Sequence, residues 1–190
     1  MTTWVDELED GAPDLVAAWS GIDEDSQIVV RREVQSRAGE GSAVRVVPQL
    51  AFLASALTAI VERLSDEDLG RDSGEGGWNV AQAIGHACDA RAGLSFAAAK
   101  AAAGQWPQDA KGVVPGVPGP SDADRAALLK AIAQSQRIVE RSARTVAGHE
   151  TEQCPLDHPL VGKLRCGEWL VFAGVHDLMH LDQLHAIMAA

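Results

Sequence analysis

The sequence predicts an all-α protein: a four-helix bundle (residues 44–190) preceded by an N-terminal helical extension (residues 1–43). Three observations carry that expectation. Hydrophobic residues make up 46 % of the chain, aromatics only 4 %, and tyrosine is absent; such an alanine-rich mixture favours helix over sheet. In the long segments apolar residues recur at spacings of three and four rather than alternating. Glycine- and proline-rich breaks cut the chain into pieces of helix length. At 190 residues the chain suffices for one full core and is tight for two domains.

The extension is acidic. Asp14 to Trp19 can form a short helix and Asp25 to Arg37 a second, polar one, before Gly39-Glu40-Gly41-Ser42 breaks the pattern. It reads as an appendage packed on the bundle. The first bundle helix follows from Val47, Leu50, Ala54, Leu57, Val61 and Leu64, which form one apolar stripe. Ser65-Asp66-Glu67-Asp68 and the glycines from Gly74 to Gly77 end it. The second runs from about Trp78 to Ala103 and is crowded with small residues, including Ala83, Gly85, Ala90 and Gly93, which let neighbours approach closely. Gly104 to Pro120 holds four prolines and four glycines and cannot be regular helix. Ser121-Asp122-Ala123-Asp124 supplies an N-cap and an acidic first turn for the third helix, to about Val146. His149 to Arg165 reads as a loop, and the last helix covers about Cys166 to Met188.

Formal net charge is −11, which argues against a nucleic-acid backbone as partner. No N-terminal segment reads as a signal peptide, and no apolar run is read as a membrane span. The three cysteines, Cys88, Cys154 and Cys166, do not make a disulfide framework. Ordinary thiols in a reducing cytoplasm are the simplest expectation.

The chemistry lies in the histidines. His176 and His180 are four residues apart, so they leave one helix face about 40° apart and one turn along. Trp169, Phe172 and Ile187 share that face, which marks it as buried. Two imidazoles on a buried stripe need a partner, and a divalent metal supplies one. His86, in the second helix, is the third candidate ligand. The three rings are expected to converge within roughly 8 Å, since metal bonds are about 2 Å long. His185 is turned about 180° from His176 and points away, whereas Gln183 is turned by only about 20°. Gln183 and Asp89, three residues beyond His86, are therefore the candidate catalytic or ligand-supporting groups. Each histidine alone would more commonly be a satisfied core residue; the pair on one face, with a third on another helix, favours the metal. Zinc is the first expectation, with nickel or iron as alternatives. His176-Asp177-Leu178-Met179-His180 is not a zinc-protease motif, because it lacks the glutamate base and the spacing to a third ligand.

Two segments also resemble a known family. Gly77-Trp78-Asn79-Val80 leading to His86 resembles the "GW-S/T-V…H" segment of the DinB/YfiT-like four-helix proteins. His158-Pro159 to Leu164, then Glu168-Trp169-Leu170-Val171-Phe172 and His176, His180 and Gln183, resembles their "HP-x-x-G-x-L…EWL-x-F…H-x-x-x-H-x-x-Q" ending. The resemblance spans about residues 44 to 188 and implies that His86, His176 and His180 are the metal triad. It further implies a metal-dependent enzyme using a metal-activated thiolate, since such proteins include mycothiol and bacillithiol S-transferases. A metal-binding, stress-related protein without turnover and a metal-dependent hydrolase, with Asp89 as its base, are the alternatives. The expected partners are a small-molecule thiol and an electrophile; nucleic acid and membrane are not expected, and a homodimer is left open.

Three placements complete the expectations. The 18 residues from His86 to Gly104 span about 27 Å of helix, so the Gly104–Pro120 segment is expected to be a plain crossover, a lid only if it doubles back. Trp106 is the tryptophan that such a lid would place over the site. His158 is expected to be a turn residue before Pro159, and His149 to face solvent.

Overall fold

The computed structural model describes residues 3–23, 26–74, 76–109, 113 and 116–189. Four long helices form the bundle: α4 (Ser42–Arg63), α6 (Val80–Ala102), α7 (Arg125–Val146) and α8 (Cys166–Ala189). Short helices α1 (Asp6–Glu9), α2 (Pro13–Ser20) and α3 (Gln27–Arg37) precede them, and α5 (Asp66–Gly70) joins α4 to α6. The start expected for the second N-terminal helix, residue 25, lies outside the described residues; Ser26 caps α3, its Oγ accepting from Val29 N–H.

The arrangement follows from where apolar side chains fall. α4 and α7 carry single stripes and need one buried side each. α8 differs, being buried nearly all round, from Cys166 through Leu178 without a break. A helix apolar on every side must be surrounded. Accordingly α4, α6 and α7 of the bundle and α2 and α3 of the N-terminal part all pack on it. The contact with α2 is tight at Gly174, where an added Cβ would lie 2.5 Å from Leu15 Cδ1.

Four sequence expectations are corrected. The segment between α7 and α8 is not a simple loop: β1 (Gln153–His158) and β2 (Gly162–Arg165) pair antiparallel there. The 121–124 segment does cap α7, but through Asp124, whose Oδ1 accepts from Ala127 N–H at 2.7 Å, so no acidic residue is left for the first turn. Ser65 does not merely end α4; with Asp68 it makes a capping box that starts α5. Finally, α4 is long and apolar enough to cross a membrane, with a mean hydropathy of 1.8 over its best window. In the fold its apolar stripe packs against α7 and α8.

One polar residue ties the four bundle helices together. Arg91 on α6 is fully buried. Its Nη2 donates to Leu50 O of α4 and to Gln136 Oε1 of α7, each at 2.9 Å. Its Nε lies 3.2 Å from Asp177 Oδ2 of α8, also buried. Burial pushes the Asp177 carboxyl up to about 6, against the opposing pull of the Arg91 guanidinium. Breaking a buried pair costs more than making one gains, because the remaining charge is stranded.

Arg91→Met is therefore expected to destabilise the fold by roughly 3–5 kcal/mol, measured by denaturant unfolding. The deficit has a sign in pH. Without Arg91 the carboxyl of Asp177 moves further above its unfolded value, so protonating it relieves the variant. The stability gap to the parent protein should be widest well above pH 6, narrow as pH falls toward about 6, and stay level below that, where the carboxyl is protonated in both folded proteins.

Candidate metal centre

Two helix starts place the histidines. At α6, Asn79 Oδ1 accepts from Gln82 N–H at 2.8 Å and Gln82 Oε1 accepts from Asn79 N–H at 3.0 Å. This capping box fixes the first turn, and His86 follows in the second. α8 carries His176 and His180 one turn apart on the side facing α6. The ring centroids are 5.3 Å apart for His86 and His176, 5.3 Å for His86 and His180, and 4.6 Å for His176 and His180. One nitrogen from each ring lies within 4.8 Å of the other two. His185 is elsewhere, stacked on Trp4 at 4.8 Å.

The hydrogen bonds decide which nitrogens are offered. His86 Nδ1 lies 2.8 Å from Val117 O. A carbonyl oxygen only accepts, so Nδ1 carries the proton and Nε2 keeps its lone pair. His180 Nδ1 lies 3.1 Å from Gln183 Oε1, and that amide is oriented because Gln183 Nε2 donates to Ser73 O at 2.7 Å. Nδ1 of His180 is thus also a donor, leaving Nε2 as the electron-pair donor. A ligand imidazole held through its other nitrogen by a carbonyl is a recurrent arrangement at metal sites. Burial lowers the basicity of His176, and the neighbouring His180, His86 and His158 lower it further, so its ring stays neutral. Its Nδ1 is buried without a hydrogen-bond partner. Three clustered imidazoles, two of them held through Nδ1 by oxygens of the protein, fit a divalent metal of the zinc, nickel or iron kind.

A cavity of about 440 Å³ opens beside the cluster. Ala90 and Leu94 of α6, Pro159 and Leu160 of the hairpin turn, and Met179 of α8 give it apolar walls. Gln183 lines it as well as orienting His180. Asp89 is exposed and lines a neighbouring cleft with His86 and Val117. The imidazole partner foreseen for Asp89 is supplied instead by Val117 O.

The plain crossover expected for Gly104–Pro120 is also corrected; residues 110–112, 114 and 115 lie outside the described part. The chain doubles back along α6. Gly119 N–H donates to Gln82 O at 3.0 Å, and a Cβ on Gly119 would lie 2.6 Å from Gly85 Cα. Two glycines facing one another let loop and helix touch backbone to backbone, which puts Val117 O on His86 and Gly116 in the cavity wall. Trp106 packs against the core and does not line the cavity. His158, expected only in a turn, lines the cavity and meets Phe172 edge-on at 5.0 Å. His149 faces solvent beside Glu152. The cysteines are buried and free, and burial pushes the Cys88 and Cys166 thiols up to about 12.

A family model described as the DinB superfamily matches residues 49–184, a span that includes all three clustered histidines. No curated protein and no solved structure matches the chain.

Two substitutions separate ligand from support. His180→Ala should abolish stoichiometric metal binding while far-ultraviolet circular dichroism remains helical, because the apolar stripes do not depend on an ion. Gln183→Leu should retain binding but lower zinc affinity roughly 10- to 100-fold, as loss of an outer hydrogen bond does at other sites. Competition with a chromophoric chelator measures both.

Proposed function

The chain belongs to the DinB superfamily, and from that membership and its histidine cluster we propose that it is a metal-dependent enzyme, a low-molecular-weight-thiol S-transferase of the mycothiol or bacillithiol type. The observation that carries the proposal is the cavity of about 440 Å³ beside the three imidazoles. A purely structural site is closed by its protein ligands, whereas a catalytic one adjoins space for a small molecule. His86, His176 and His180 would hold a divalent ion, zinc by first choice, which would lower the pKa of a thiol bound to it and so supply a thiolate nucleophile. A free thiol of ordinary pKa is only a few per cent ionised at pH 7, so full ionisation alone is worth roughly 30-fold.

The chain's own residues supply orientation and exclusion. Val117 O and Gln183 hold two ligand rings in place. The apolar walls around Leu94, Leu160 and Met179 favour an electrophile with an apolar body. Transfer joins the thiolate sulfur to the electrophilic carbon, and the leaving group departs with that bond's electron pair. Among the described residues no carboxylate lines this cavity, which favours thiol transfer over a hydrolase that needs a base there. Asp89 would serve such a base only for a molecule reaching the neighbouring cleft. The proposed setting is the reducing cytoplasm, where small thiols are abundant, with no nucleic-acid or membrane partner.

The test is conjugation of a panel of low-molecular-weight thiols to monochlorobimane, followed by fluorescence at pH 7. With zinc bound, at least one thiol should react roughly 30-fold or more above the metal-free rate. Chelation and His180→Ala should both return it to background. Rates indifferent to metal across the panel would leave a metal-binding protein without turnover.

A further inference from the structure

A fourth histidine faces the same cavity in the opposite tautomer. His158 ends β1, and its ring meets Phe172 edge-on at 5.0 Å and Trp169 at 6.4 Å. Leu160 N–H donates to His158 Nδ1 at 3.1 Å. Nδ1 is therefore the acceptor, and in the neutral ring the proton sits on Nε2. In His86 and His180 the assignment is reversed: Nδ1 is the donor. The hairpin turn thus turns a hydrogen-bond donor, not a fourth metal ligand, toward the space shared with the triad. Among the described residues His158 is not part of the metal-binding group, and its Nε2 is not among the buried, unpartnered atoms. Among the described residues no lysine or arginine lines the cavity, so the donors there are uncharged.

We propose that His158 is a binding residue for the small molecule seated beside the three histidines, its Nε2–H donating to an uncharged carbonyl oxygen of that molecule. The ligand class is a thiol, or a thiol-derived conjugate, that carries an amide or ketone a few bonds from sulfur. The choice of thiol rests on the proposed transferase reading; the role of His158 as donor does not. A site built to donate to a substrate oxygen discriminates strongly against analogues lacking it. The packing against Trp169 and Phe172 holds the ring, so the donor is oriented before the ligand arrives.

The experiment uses the full chain loaded with cobalt(II), whose thiolate charge-transfer absorption reports sulfur binding. N-acetylcysteamine, a neutral thiol with an amide, is titrated against 1-butanethiol, which lacks the carbonyl. The parent protein should bind N-acetylcysteamine about tenfold more tightly. His158→Phe keeps the ring packing and removes the donor; it should erase that preference while leaving cobalt content and butanethiol affinity unchanged. His158→Gln, which can present an amide N–H, should restore part of it. In parallel, nitrogen-15 imidazole spectra of the zinc-loaded protein should show His158 protonated at Nε2, with that resonance moving on addition of N-methylacetamide. A preference that survives His158→Phe, or a His158 protonated at Nδ1, overturns the proposal. If neither thiol produces the charge-transfer band while N-methylacetamide still moves the resonance, the thiol reading falls and the donor role stands. If N-methylacetamide moves nothing and the thiols bind equally, the donor role falls.

Discussion

Burying three imidazole rings against one another is costly, because each brings a donor and an acceptor nitrogen out of water. The cluster of His86, His176 and His180 meets that cost by spending two Nδ1–H groups on oxygens of the protein, Val117 O and Gln183 Oε1. What remains is a set of electron pairs gathered within 4.8 Å, and a cation is the natural partner for them. Much of the surrounding structure serves this one constraint. The Gly85–Gly119 contact brings Val117 to His86, Ser73 O anchors Gln183, and the capping box of α6 fixes the turn from which His86 projects.

Beneath the cluster lies a second polar layer of a different kind. Arg91 and Asp177 sit on the same two helices that carry the histidines, five residues from His86 and one from His176. Their contact, with the further bonds of Arg91 to α4 and α7, fixes how α6 and α8 are placed against each other. A shift of either helix would change the separation of the imidazoles directly. The ion pair is thus a support for the site as well as a feature of the core, and neither of its residues lines the cavity.

The helices and the triad were legible because their signals are local and periodic. The spacing of His176 and His180, and the angular offsets of Gln183 and His185, follow from one helix and need no tertiary information. What escaped was non-local. The return of the 104–120 segment depends on two glycines 34 positions apart, neither of which announces its partner. The hairpin of residues 153–165 alternates too briefly to signal strands, which hid the approach of His158 to the cavity. Arg91 carries no local signal of its role, and only the bundle reveals that it is fully buried.

The central claim is that the three imidazoles bind one divalent metal together. X-ray absorption at the zinc edge of the protein loaded with a single equivalent tests it most directly. The account predicts a shell containing three imidazole nitrogens at about 2.0–2.1 Å, with the outer-ring scattering that imidazole gives. That pattern should be lost in His86→Ala, whose ligand comes from the other helix. A shell of oxygen alone, a sulfur shell from the buried cysteines, or a spectrum unchanged in His86→Ala would contradict it.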